Sequence, residues 1–121
     1  MPLIDIDSNR TITKHPHAGD LALIEKKAGA DRYRAMMEDL DQRVHEKEVA
    51  TASWMPPREN WRDTVYAPLV EIANDDWDFS GLLFGCMVWA HFMNRPERWG
   101  FGRYNKKNGQ PIGGITYFRL D

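Results

Sequence analysis

An α+β fold is predicted: helices fill the middle of the chain, one of them apolar on every side and fully buried, and a small antiparallel sheet forms from the N- and C-terminal segments. Three observations predict it. Residues 82–93, LLFGCMVWAHFM, contain a single polar side chain, His91. Short runs rich in β-branched or aromatic residues stand near the two ends, in LIDID, TITK, RWGFGRY and GITYFRL. Between them, apolar residues recur at the three- and four-residue spacing of a helix. A chain of 121 residues suits one domain, 1–121, able to bury roughly two-thirds of its unfolded surface without disulfides or metal.

Taken in order, LIDID and TITK flank the turn-prone Ser8-Asn9 and predict two strands. Pro16 ends this section. Leu21, Ile24 and Ala28 then mark a helix from about Asp20 that Gly29 breaks or bends. Asp31 is the expected N-cap of the clearest helix, running to Val49. Its stripe is Tyr33, Met36, Met37, Leu40 and Val44. TASWMPPREN is a connector stiffened by Pro56-Pro57. Trp61, Val65, Leu69 and Ile72 form a third stripe with Asn60 as its cap, and Pro68 predicts a kink or two short helices.

The apolar helix follows. Twelve residues are too few for a membrane span, which needs about 20, and charged residues bound the run on both sides. Ser80 or Asp78 is the expected cap, and Pro96 the stop. A helix apolar all round belongs inside a core. From Trp99 onward, RWGFGRY and GITYFRL predict a hairpin around a long basic turn. The expected main core is Trp61, Val65, Leu69, Ile72, Leu82, Leu83, Phe84, Met87, Val88, Trp89 and Phe92, joined by Met36, Met37 and Leu40.

Charge narrows the function classes. The net of −2 favours neither a general nucleic-acid binder nor a nucleic-acid mimic. Its distribution is uneven: residues 1–89 hold ten basic and sixteen acidic side chains, while residues 90–121 hold six basic and two acidic. The lone Cys86 excludes an internal disulfide and fits a reducing compartment. MPLIDIDSNR lacks a basic segment followed by an apolar run, so no signal peptide is expected and the reading is cytoplasmic.

Catalytic chemistry has few candidates. His15-Pro16-His17 offers two imidazoles without a third ligand at a recognisable spacing. Asp75-Asp76-Trp77-Asp78 lacks the glycine turn and distal glutamate of a calcium loop, and helix-start carboxylates already serve as caps. Cys86 and His91, five apart on one helix, point about 140° away from each other, and a buried thiol is inert. His91 reads as a core histidine with a backbone partner. GFG and GG match neither G-x-G-x-x-G nor a lysine-bearing phosphate loop. No cofactor and no metal are expected.

The strongest functional hint is RPERWGFGRYNKKNG, which interleaves basic and aromatic residues. Arginine and tyrosine are the residue types that anchor protein interfaces, whereas mixed Glu/Lys faces contribute little. Arg98, Arg103, Tyr104, Lys106, Lys107 and Tyr117 are therefore the expected partner-binding residues. The leading expectation is a non-enzymatic interaction or regulatory module of the accessory or mobile-element-inhibitor type, docking on a larger protein or on a copy of itself. The charged outer face of the helix from Asp31 to Val49 is the second surface. One alternative is nucleic-acid or phosphate binding, with Trp99, Phe101 and Tyr104 stacking on bases beside the basic groups. Another is a small hydrolase-like or metal-dependent enzyme using His15, His17, His45, His91 and the carboxylates of residues 75–78.

Overall fold

The two ends of the chain meet in one sheet. The computed structural model describes residues 3–12, 14–44, 49–51, 58–102, 108–109 and 115–120. Strands β1 (Leu3–Asp5), β2 (Arg10–Ile12), β3 (Val49–Thr51), β4 (Trp99–Gly102) and β5 (Thr116–Arg119) form a sheet of order β2-β1-β4-β5-β3. The β1–β2, β4–β5 and β3–β5 pairs are antiparallel, and β1 runs parallel to β4. The sheet is thus mixed: the N-terminal hairpin docks beside the C-terminal one in the same direction, which requires the intervening helices as a crossover. Asn9, with φ 55°, closes the first hairpin in a left-handed conformation that asparagine tolerates.

Among the described residues five helical segments make the crossover: α1 (Ala18–Ala28), α2 (Ala30–Val44), a 3₁₀ helix (Arg58–Asp63), α3 (Ala67–Ile72) and α4 (Trp77–Met93). Gly29 separates the first two with φ 90°; its N–H donates to the Glu25 carbonyl and its own carbonyl accepts from Tyr33 N–H. Helix α2 therefore begins at Ala30, and Asp31 sits in its first turn rather than at a cap. It ends at Val44, five residues before the expected Val49. Val49 instead opens strand β3, at the edge of the described sheet, where it pairs with Phe118. Residues 45–48, with His45, and the Pro56-Pro57 connector lie outside the described residues.

Around Pro68 the third helical region divides into two short helices. The proline falls in the first turn of α3, where its missing N–H costs nothing. Asn60 lies inside the 3₁₀ helix, so the turn between the two is held by Thr64, whose hydroxyl donates to the Trp61 carbonyl and accepts from Tyr66 N–H. This break turns Val65 outward, 42% exposed, against its expected place in the core. Asn74 and Asp75, both with positive φ, then reverse the chain. Asp76 rather than Asp78 or Ser80 caps α4, accepting from Phe79 N–H at 2.9 Å. Ser80 donates to the Asp76 carbonyl, and Asn94 closes the helix before Pro96.

Helix α4 lies on one face of the sheet. Phe92 stacks on Tyr117 at 4.2 Å and 17° and also meets Trp99, and Trp89 meets Phe101 edge-on at 4.7 Å. On the helical side Trp61, Tyr66 and Phe84 form a second aromatic cluster. Leu3, Ile24, Met36, Leu40, Leu69, Leu83, Met87 and Val88 fill the space between. Helix α4 is less fully covered than its composition predicts: Leu82 is 47% exposed.

Candidate functional site

Of the expected partner-binding residues, Arg98 and Tyr117 are among the described ones, and they differ. Arg98 is exposed immediately before β4. Arg103, Tyr104, Lys106 and Lys107 lie outside the described residues. Tyr117 is 2% exposed, because its pairing with Phe101 points it toward α4, where Phe92 stacks on it. Its ring belongs to the core and offers a partner no surface. Trp99, fully buried, and Phe101, packed on Trp89, turn inward by the same alternation. Two of the three aromatics required for base stacking are thereby occupied.

The opposite face of the same strands is different. Ile4 pairs with Gly100, which pairs with Phe118, and these positions alternate with the core-facing Leu3, Trp99 and Tyr117. A Cβ placed on Gly100 would lie 2.9 Å from Phe118 Cε2 and 3.0 Å from Ile6 Cδ1. Glycine is therefore what lets these two side chains close over the strand. Ile4 and Phe118 are half-buried, and Ile6 is 40% exposed. None of the three belongs to the buried core cluster. The sequence signal was present in LIDID and TYFRL, whose alternation puts Ile4 and Ile6 on one side and Phe118 opposite Tyr117.

The candidate catalytic groups are dispersed. Asp76 and Asp78 stand at the start of α4, and His91 lies about 20 Å away along the same helix. The Asp76 carboxylate is engaged as a cap, and Asp75 pairs with Arg62. Among the described residues no three His, Cys, Asp or Glu side chains approach closely enough to hold a metal.

His15 does meet α4, though not as a ligand. Its Nδ1 accepts from His17 N–H at 2.9 Å, which leaves the proton on Nε2 to donate to the Cys86 carbonyl at 2.7 Å. The neutral ring thus ties the N-terminal segment to the middle of α4. Burial pushes the Cys86 thiol up to about 11, so it stays protonated and unreactive. These residues border a cavity of about 290 Å³, whose lining includes His15, His17, Leu82, Gly85, Trp89 and Ile115.

His91 has the opposite environment. It is 8% exposed, and its Nε2 is buried without a hydrogen-bond partner, so the expected backbone partner for that atom is not found. Burial first, and then the charge of Arg95, lower its pKa to about 4; Asp41 and Glu97 oppose the shift. Arg95 itself bridges Asp41 of α2 and Glu97, with its Nε 3.0 Å from the Glu97 carboxylate. A second inter-helix link joins Tyr66 O–H and Arg43 Nε to one oxygen of Asp39, each at 2.6 Å. Burial and this carboxylate raise the Tyr66 pKa far above its ordinary value, so the phenol remains a donor. Both clusters fasten helices together with satisfied charges, and neither leaves a general base beside a nucleophile.

No family model, curated protein or solved structure matches the chain.

Proposed function

We propose that the protein is a non-enzymatic interaction module of regulatory type that docks on a larger protein through the sheet face opposite α4 and residues of the C-terminal hairpin. The observation that carries this reading is the apolar group Ile4, Ile6 and Phe118, gathered over Gly100 on the sheet face opposite α4. Apolar centres ringed by polar and basic side chains are the usual anatomy of a docking surface. Arg98 and Arg119, both exposed, stand where β4 begins and β5 ends. Arg103, Tyr104, Lys106 and Lys107 follow β4 in sequence and are of the residue types that anchor interfaces. A cytoplasmic setting fits the single buried thiol.

The test is affinity capture from the native host with three baits: the wild type, Ile6→Arg and Arg103→Ala/Tyr104→Ala. Capture counts only for a protein retained by the wild type and lost with at least one variant, while circular dichroism shows both variants folded. Anchor truncations of this kind cost about 2 kcal/mol or more, roughly thirtyfold in affinity. Full retention by both variants would place the contact elsewhere, with the outer face of α2 next in line. Retention of nucleic acid instead of protein, weakening steeply with salt, would favour the phosphate-binding alternative.

A further inference from the structure

Helix α4 carries a partly exposed side, separate from the sheet face. Asp78, Gly81, Leu82, Gly85 and Trp89 share one side of it by three- and four-residue spacing. The helix is apolar all round, yet the fold leaves Leu82 47% exposed here. On the same side opens the cavity of about 290 Å³. Its floor is open, since a Cβ added to Gly85 would meet nothing within 4 Å. One wall is fixed by His15, whose two ring nitrogens are both committed to backbone groups. His17 stands at the cavity as well, and most of the other lining residues, Leu82, Phe84, Trp89 and Ile115 among them, are apolar, so an apolar group fits there.

A protruding leucine beside a cavity larger than a leucine side chain is a knob next to a hole. Such a surface is complementary to itself under a two-fold rotation, in which residue i of one copy meets residue j of the other and the reverse. Charge has the same symmetry. Asp78 is exposed one turn before Leu82, whereas Lys14 and His17 are exposed on the segment that His15 ties to Cys86, one turn after it. Asp20, 4.0 Å from His17, offsets that imidazole, so the charge match rests on Lys14, exposed on the same segment. An antiparallel crossing of two α4 helices near residue 84 carries each Asp78 toward the partner's basic rim.

We propose that a second copy of this chain docks on this face, with Leu82 of each copy seated in the cavity of the other and Asp78 facing Lys14 across the contact. An interface built on one leucine per side falls at the small end of the range, below about 1,200 Å², where association is weak. A dissociation constant on the order of 0.1 mM is expected.

Sedimentation of the full chain, from about 10 µM to about 1 mM, tests this. The wild-type mass should climb from 14.1 kDa toward twice that value. Leu82→Lys should raise the dissociation constant at least tenfold, and Gly85→Leu, which fills the cavity from within, should do the same should Leu82→Lys fold poorly. Lys14→Glu should weaken the dimer, and Lys14→Glu combined with Asp78→Lys should restore it. Ile6→Arg should leave it unchanged, which separates this contact from the sheet face. A wild type that is monomeric throughout overturns the proposal, as does a dimer whose constant ignores the Leu82 and Gly85 substitutions. Failure of the charge exchange to restore association overturns the two-fold placement.

Discussion

His91 is the residue whose environment departs furthest from what its neighbours in sequence imply. In the unfolded chain its imidazole titrates near 6.5, whereas in the native state burial and Arg95 hold it to about 4. Between these values the unfolded state binds a proton that the native state does not, so stability falls as pH falls from about 6.5 to about 4. With the ring almost wholly buried, the loss is at most about 3 kcal/mol at the acid end. Glu97, whose native pKa lies below the ordinary carboxylate value, adds its own loss only under about pH 4.5. Urea unfolding of the wild type and of His91→Leu across this range separates the two. The variant should show a flatter profile between pH 4 and 6.5, and an unchanged slope would mean that His91 is protonated in the native protein. Tyr66 makes a simpler case. Tyr66→Phe removes the hydrogen bond to Asp39 while keeping the ring, and should cost about 1–2 kcal/mol in the same assay.

At the scale of elements, α4 shows how far the sequence could be read. Its length, apolarity and position against the other elements follow from residues 80–94, because so long an apolar run has no other place to go. The orientation of its open side does not follow, since a helix apolar all round carries no stripe to mark which face the fold will cover. Adjacent leucines therefore behave differently. Leu83 is fully buried and Leu82 is not. Leu83→Ala should cost on the order of 2–5 kcal/mol through the cavity it leaves. Leu82→Ala should stay within about 0.5 kcal/mol of wild type. Equal effects in thermal or denaturant unfolding would contradict the placement of α4. Val65 was misplaced for a related reason: its spacing from Trp61 and Leu69 presumes one continuous helix, and the break before α3 rotates it outward. The hairpin was legible from its aromatic runs, but which of its faces would be open depended on the position of α4. That is why Tyr117 was expected outside and Ile6 and Phe118 were passed over.

At the scale of the whole molecule, the parallel β1–β4 pairing matters most, and neither strand announces it. Antiparallel pairs are signalled by the turns that join them, whereas a parallel pair depends on the length and packing of everything between. Here it makes β1, near the start of the chain, a structural neighbour of β4, with Leu3 beside Trp99 in the sheet and fully buried. The helices cannot separate from the sheet without uncovering the Phe92, Trp99 and Tyr117 cluster. Local and global unfolding should therefore coincide. Far-ultraviolet circular dichroism, dominated by the helices, and tryptophan fluorescence should give superimposable denaturation curves with one midpoint. The fluorescence reports both clusters, because Trp61 lies on the helical side and Trp99 in the sheet. Trp99→Phe should keep the curves coincident while lowering the common midpoint, since it thins the cluster on which both layers rest. Two resolved midpoints, or a loss of sheet signal with the helices intact, would show that the chain ends form a unit independent of the helices. The sheet face around Ile4, Ile6 and Phe118 would then be presented by a separable element rather than by the rigid scaffold that a docking surface requires.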